Sequence, residues 1–90
     1  MKYQITHIKL SDNFGSNTEK ITHVKIADTT VETVKDMVNY LDKGIKYFYT
    51  TANGTEAEVE SVHPSDRKPY IRTKGNDSIS DNLLNLPKFN

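Results

Sequence analysis

Ninety residues with a formal net charge of zero make one small domain, spanning 1–90. Leu, Ile, Val and Phe supply 21 of them, enough apolar material for a folded core and too much for a disordered chain. Neutrality excludes a general electrostatic pull towards nucleic acid or anionic membranes, and the absence of cysteine excludes disulfides, thiolate metal sites and a thiol nucleophile.

The chain passes from Met1 straight into strand-like sequence, with no apolar run of membrane length, so the expectation is a cytoplasmic protein with no membrane contact. Lysine outnumbers arginine ten to two and asparagine is abundant, a composition typical of AT-rich bacterial or phage genomes.

Residues 3–10 alternate as a strand rich in Ile, Thr and Tyr. Residues 11–17 carry turn chemistry, with Gly15 free to take positive φ, and residues 20–26 form a second strand. The pentapeptide Ile5-Thr6-His7-Ile8-Lys9 recurs in it as Ile21-Thr22-His23-Val24-Lys25. A loop this short turns the chain back, which predicts an antiparallel hairpin. With His7 opposite His23, Ile5 and Ile21 share the histidines' outer face, whereas Ile8, Leu10, Val24 and Ile26 form the more apolar face and point into the core.

Thr29-Thr30-Val31-Glu32 has the pattern of a capping box, followed by Val31, Val34, Met37, Val38 and Leu41 at helical spacing. Gly44 suits the position just past the helix end. Residues 45–51 and 55–62 flank Ala52-Asn53-Gly54, a hairpin signal with two readings. A two-residue Asn-Gly turn leaves Phe48 and Val59 in the core. A three-residue loop with Gly54 left-handed gathers Ile45, Tyr47, Tyr49, Ala57 and Val59 on one face and pairs Lys46 with Glu60, and the hydrophobic pattern favours it. Pro64 and Pro69 bracket a loop, residues 70–74 form a fifth strand, and residues 81–87 form a helical turn capped by Asp81, stopped by Pro87 and docked through three leucines. The predicted fold is α+β: an antiparallel sheet of about five strands, order β-β-α-β-β-β, with one main helix on one face and a short C-terminal helical turn. The alternative is a partly open β-barrel with one helix.

Several of these stretches resemble a family of short bacterial proteins, the domain of unknown function 3892 family. They are Ile5-Thr6, Glu19-Lys20-Ile21-Thr22-His23-Val24, Met37-Val38-Asn39-Tyr40-Leu41, Pro69-Tyr70-Ile71-Arg72-Thr73 and the closing Asp81-Asn82-Leu83-Leu84-Asn85-Leu86-Pro87-Lys88-Phe89. The resemblance covers essentially the whole chain and implies a compact single-domain protein. It brings no catalytic residue and no cofactor with it, and its pattern calls for histidine at position 23 more than at position 7.

Three constellations carry chemistry. His7 and His23 on paired strands are close enough to share a metal ion, with His63, Asp12 or Asp28 as further ligands. Tolerated outer-face histidines are the plainer explanation. Arg67, Lys68, Arg72 and Lys74 surround Tyr70, a grouping suited to nucleic acid or another anion, with Lys88 as an added cation. Cross-strand pairing with Glu56, Glu58, Glu60 and Asp66 is the plainer explanation there. No phosphate loop, HExxH or GxSxG motif is present, so no enzyme is expected.

The leading expectation is a non-catalytic protein-interaction or accessory module without cofactor. Its partner is another protein or a second copy, joined through an exposed edge strand, the first or the fifth. The alternatives are nucleic-acid or anion binding through the 67–74 segment and metal binding through His7, His23 and His63.

Overall fold

The structure is a computed structural model and describes residues 2–11, 17–51, 53–75 and 82–89. The expected turn at Gly15 and the Asp81 cap lie outside the described residues. Six strands form one sheet: β1 (Lys2–Leu10), β2 (Ile21–Ile26), β3 (Thr30–Thr33), β4 (Lys46–Thr50), β5 (Glu56–Val62) and β6 (Tyr70–Thr73). One helix, α1 (Val34–Asp42), packs on one face, and 3-10 turns stand at Thr18–Lys20 and Asn82–Asn85. The order across the sheet is β3-β2-β1-β4-β5-β6, so β3 and β6 are edges and the sheet does not close into a barrel. The α+β class is the expected one. β1, expected as a candidate edge, is central, because β2 and β4 flank it. The sheet is also mixed. After the β1–β2–β3 meander, α1 carries the chain back, and β4 runs parallel to β1 through Tyr3 opposite Tyr47.

The repeated pentapeptide forms a locally two-fold symmetric ribbon. Ile8 pairs with Val24 at its centre, His7 with Lys25 on one side and Lys9 with His23 on the other. The expected pairing of His7 with His23 is therefore replaced by a diagonal arrangement. Outward of these pairs the register slips once on each strand, at Thr6 and at Thr22, and each slip is a β-bulge. An extra residue reverses the alternation of sides, so Ile5 and Ile8 are both buried, as are Ile21 and Val24. That corrects the placement of Ile5 and Ile21 on the outer face. Leu10, by contrast, is only partly buried against the core.

A bulge leaves ladder groups without strand partners, and the threonine hydroxyls take them up. Thr6 Oγ1 donates to the Lys25 carbonyl (3.2 Å) and Thr22 Oγ1 to the Lys9 carbonyl (3.3 Å). With its proton so committed, Thr6 Oγ1 accepts from the Asp28 amide (3.0 Å) and from His7 Nδ1–H (3.0 Å). Thr22 Oγ1 accepts from His23 Nδ1–H at 2.9 Å in the same way. The half of β1 beyond the Thr6 bulge has no β4 partner. There Ile8 donates to the Pro87 carbonyl (2.9 Å) and accepts from the Phe89 amide (3.1 Å), so the C-terminal tail completes the sheet.

The helix begins four residues later than a Thr29 cap implies. Thr29-Thr30-Val31-Glu32 is instead the start of an edge strand, entered through Ala27 and Asp28 at φ 52° and 66°, with the Thr29 amide donating to the Ile26 carbonyl (3.1 Å). Thr33 is the N-cap, its hydroxyl accepting from the Asp36 amide (3.1 Å). Val31 is consequently 51% exposed, while Val34, Met37 and Val38 are buried. Glu32 stands opposite Val24 on the inner face and accepts from the Tyr47 hydroxyl at 2.8 Å. Burial, then that carboxylate, pushes Tyr47 well above the ordinary phenol range, so it stays a donor. At the other end, Gly44 (φ 95°) closes a Schellman turn: its amide donates to Leu41 and the Ile45 amide to Tyr40, both at 3.0 Å.

The β4–β5 register is the one the hydrophobic pattern favours, with Tyr47 opposite Val59, Tyr49 opposite Ala57 and Gly54 left-handed at φ 83°. Tyr47, Tyr49 and Val59 are buried. Lys46 reaches diagonally to Glu58 (3.2 Å) rather than straight across to Glu60. Leu83 and Leu84 of the C-terminal turn are buried and Leu86 is partly so, which docks the tail as expected.

Thr6→Val and Thr22→Val keep the side-chain shape but strip the bulge of its hydroxyl. Each is expected to cost about 1–3 kcal/mol in thermal unfolding, with exposed Thr30→Val within about 0.5 kcal/mol of the parent. Thr33→Ala is expected to cost about 1 kcal/mol in urea unfolding and Thr29→Ala close to none, an ordering that a Thr29-capped helix would reverse.

Candidate functional site

The chain leaves β5 into residues 63–69, where Pro64 and Pro69 keep the backbone out of any ladder. Between this loop and the flank of α1 runs a cleft of about 870 Å³. Ile21, Val34, Val38 and Pro69 give it an apolar floor, with Val34 and Val38 one helical turn apart on α1. Around them stand Glu19, Lys35, Asn39, His63 and Lys68.

Both ends of the loop are tied down. At one, His63 Nε2 lies 2.9 Å from Asp42 Oδ2 while Ser61 Oγ donates to Asp42 Oδ1 (2.7 Å). The Ser61 bond first, then the His63 bond, holds the Asp42 carboxyl below the usual carboxylate range. These bonds also offset the poor placement of a carboxylate in the last turn of a helix. At the other end, Arg67 pairs with Glu19 (3.1 Å) next to the start of β2, and with Asp66 (3.3 Å). Among the described residues no carboxylate pairs with Lys35 or Lys68, so the cleft carries two exposed, uncompensated ammonium groups over an apolar floor.

The basic segment does not present one positive face. Arg72 meets Glu60 directly across the ladder (2.7 Å), and Lys74 meets Glu58 (3.5 Å). Hydrogen bonding and attraction from Lys46, joined by Lys74, hold Glu58 below its ordinary range. Tyr70 is half-buried opposite Val62, and Lys68 turns into the cleft. Lys88 lies apart from them, donating to the carbonyls of Leu84 and Leu86 at the end of the C-terminal turn. The remaining paired carboxylates are also occupied, Glu56 by Lys2 at 2.5 Å.

The three histidines divide in two. His63 belongs to the cleft, and His7 and His23 stand diagonally on the outer face of the β1–β2 ribbon. Asp28 is 3.6 Å from His7 Nδ1, and Asp12 lies outside the described residues. Among the described residues no three His, Asp or Glu side chains gather as metal ligands would. Sequence reasoning named His63, Arg67 and Lys68 but missed Lys35, Asp42 and the floor. Those walls come from three separate segments, and no local motif links them.

The Asp42 latch has a pH signature. A carboxyl whose folded pKa is depressed stabilises the fold above the ordinary carboxylate range and loses that contribution as pH falls below it. The thermal midpoint of Asp42→Asn is therefore expected to lie below the parent's at pH 7, the gap shrinking as pH drops under 4. A gap that stays constant would remove Asp42 from the latch.

No curated protein and no solved structure matches the chain. No helix among the described residues is long and apolar enough to cross a membrane. A family described as "Protein of unknown function (DUF3892)" matches residues 4–87. The match spans both halves of the ribbon, α1, the cleft and the whole of the closing leucine turn, and the chain belongs to that family.

Proposed function

We propose that this protein is a non-catalytic interaction module of the cytoplasm that holds a segment of a partner protein in the cleft between α1 and the 63–69 loop. The observation that carries this reading is the pairing of an apolar floor with two ammonium groups, Lys35 and Lys68, that meet no carboxylate among the described residues. An apolar side chain set against the exposed Pro69 and the small uncovered part of Val34 contributes affinity through the area it removes from water, about 25 cal/mol per Å² buried. Carboxylates beside it, meeting Lys35 and Lys68, fix the register and select the partner. The occupant is thus an acidic peptide segment with an apolar anchor. The pinned loop supports the reading, because a wall fixed at both ends loses little freedom on binding. The lack of cysteine is in keeping with a reducing compartment.

The test is a fluorescence-anisotropy titration with labelled short peptides carrying Leu or Ile between aspartates and glutamates. Lys35→Glu with Lys68→Glu, both on exposed side chains, is expected to weaken binding at least tenfold with the circular dichroism unchanged. Equal affinity for peptides whose acids are replaced by lysine would refute the reading.

A further inference from the structure

We propose that the outer face of the β1–β2 ribbon is a binding site for an anion carrying successive phosphates, distinct from the cleft. The symmetric register places two cross-strand pairs on that face, His7 with Lys25 and Lys9 with His23. Opposed side chains have Cβ atoms about 4.5–5.5 Å apart, and the two pairs are offset along the strands by two residues, roughly 7 Å. Four nitrogen-bearing side chains thus form a compact quadrilateral of two like pairs.

Each lysine faces an imidazole that takes the same charge on protonation, an opposition that stabilises no sheet, and no carboxylate among the described residues pairs with Lys9 or Lys25. The imidazoles are aimed as well. With Nδ1–H of each ring held by Thr6 or Thr22, Nε2 is left for a ligand, and on protonation it becomes an N–H donor. Phe89 completes the face: Lys25 Nζ lies 4.9 Å from its ring centroid, which puts an aromatic ring beside the cations. The sign of the charge decides between ligands. Two imidazoles alone would draw a divalent metal, but two unneutralised lysines among them repel one and favour phosphate oxygens.

The groups facing the two rings set the pH dependence. Asp28 stands 3.6 Å from His7, Lys25 and Lys9 stand directly across the ladder, Thr33 of β3 is opposite His23, and Phe89 bounds the tail side. A protonated imidazole adds an N–H donor and positive charge to this face, so anion binding strengthens as the pH falls.

Two sources share this chemistry, a small linear polyphosphate and the backbone of a single-stranded nucleic acid. Isothermal titration at low salt with tripolyphosphate and with a short oligothymidylate distinguishes them. Binding is expected to be tighter at pH 6 than at pH 8. Lys9→Gln with Lys25→Gln should weaken it at least tenfold, and His7→Gln with His23→Gln should flatten the pH dependence. Lys35→Gln with Lys68→Gln, which strips the cleft, should leave it unchanged, so the ribbon site and the cleft stand or fall separately. Preference for tripolyphosphate assigns the site to small phosphates. Preference for oligothymidylate, weakened by Phe89→Leu, assigns it to nucleic acid. Binding of neither probe at low salt, or loss of binding in the cleft variant alone, overturns the proposal.

Discussion

Two threonine hydroxyls hold this fold in its present form. Thr6 and Thr22 each sit at a bulge, each donates to the carbonyl of a lysine on the opposite strand, and each accepts from the histidine that follows it. Without the bulges, strict alternation would send Ile5 and Ile8 to opposite faces, and likewise Ile21 and Val24. With them, a spacing of three puts all four into one core. The polar cost of interrupting the ladder is met by side chains already in the repeat. The repeated Ile-Thr-His pattern is therefore a unit: two apolar residues three apart, a hydroxyl for the gap between them, and a ring held by that hydroxyl.

The same bulges shape the rest of the sheet. β1 pairs with β4 only as far as Gln4 opposite Phe48, after which the tail takes over beside Ile8. Across the inner face, the Tyr47 hydroxyl reaches Glu32 and ties the β3 edge to a central strand. An inward-pointing carboxylate is also a device by which an edge strand resists pairing with a stranger. The cleft exists because the 63–69 loop is latched to α1 at Asp42 and to the segment before β2 at Glu19, which holds it apart from Val34 and Val38.

Much of this was legible in the residues. The strands, the helix stripe from Val34 to Leu41, the Gly44 stop, the register of the tyrosine hairpin and the docked leucine turn all follow from periodicity and turn chemistry. What was not legible had specific causes. Ala27 and Asp28 occupy a left-handed turn that usually advertises itself with Asn and Gly, so β3 had no visible entrance. Thr29 and Glu32 also stand at capping-box spacing by coincidence, while the true cap, Thr33, lies four residues on. The bulges hid the core role of Ile5 and Ile21, since alternation is the rule by which strands are read. The candidate sites were harder still, being made from pairings and latches between distant segments.

The local two-fold symmetry of the ribbon has one more consequence. A strand pair built from two nearly identical pentapeptides is one in which each pentapeptide is geometrically its own complement. The Ile5 to Lys9 stretch of one molecule therefore presents to the same stretch of another the same hydroxyls, carbonyls and isoleucines that its intramolecular partner meets. What selects the partner within the chain is effective concentration, in the millimolar range for a short connection. The short link between the two copies of the repeat thus acts as a specificity element. Lengthening it would lower the local concentration of the correct partner and shift the balance towards strand exchange between molecules.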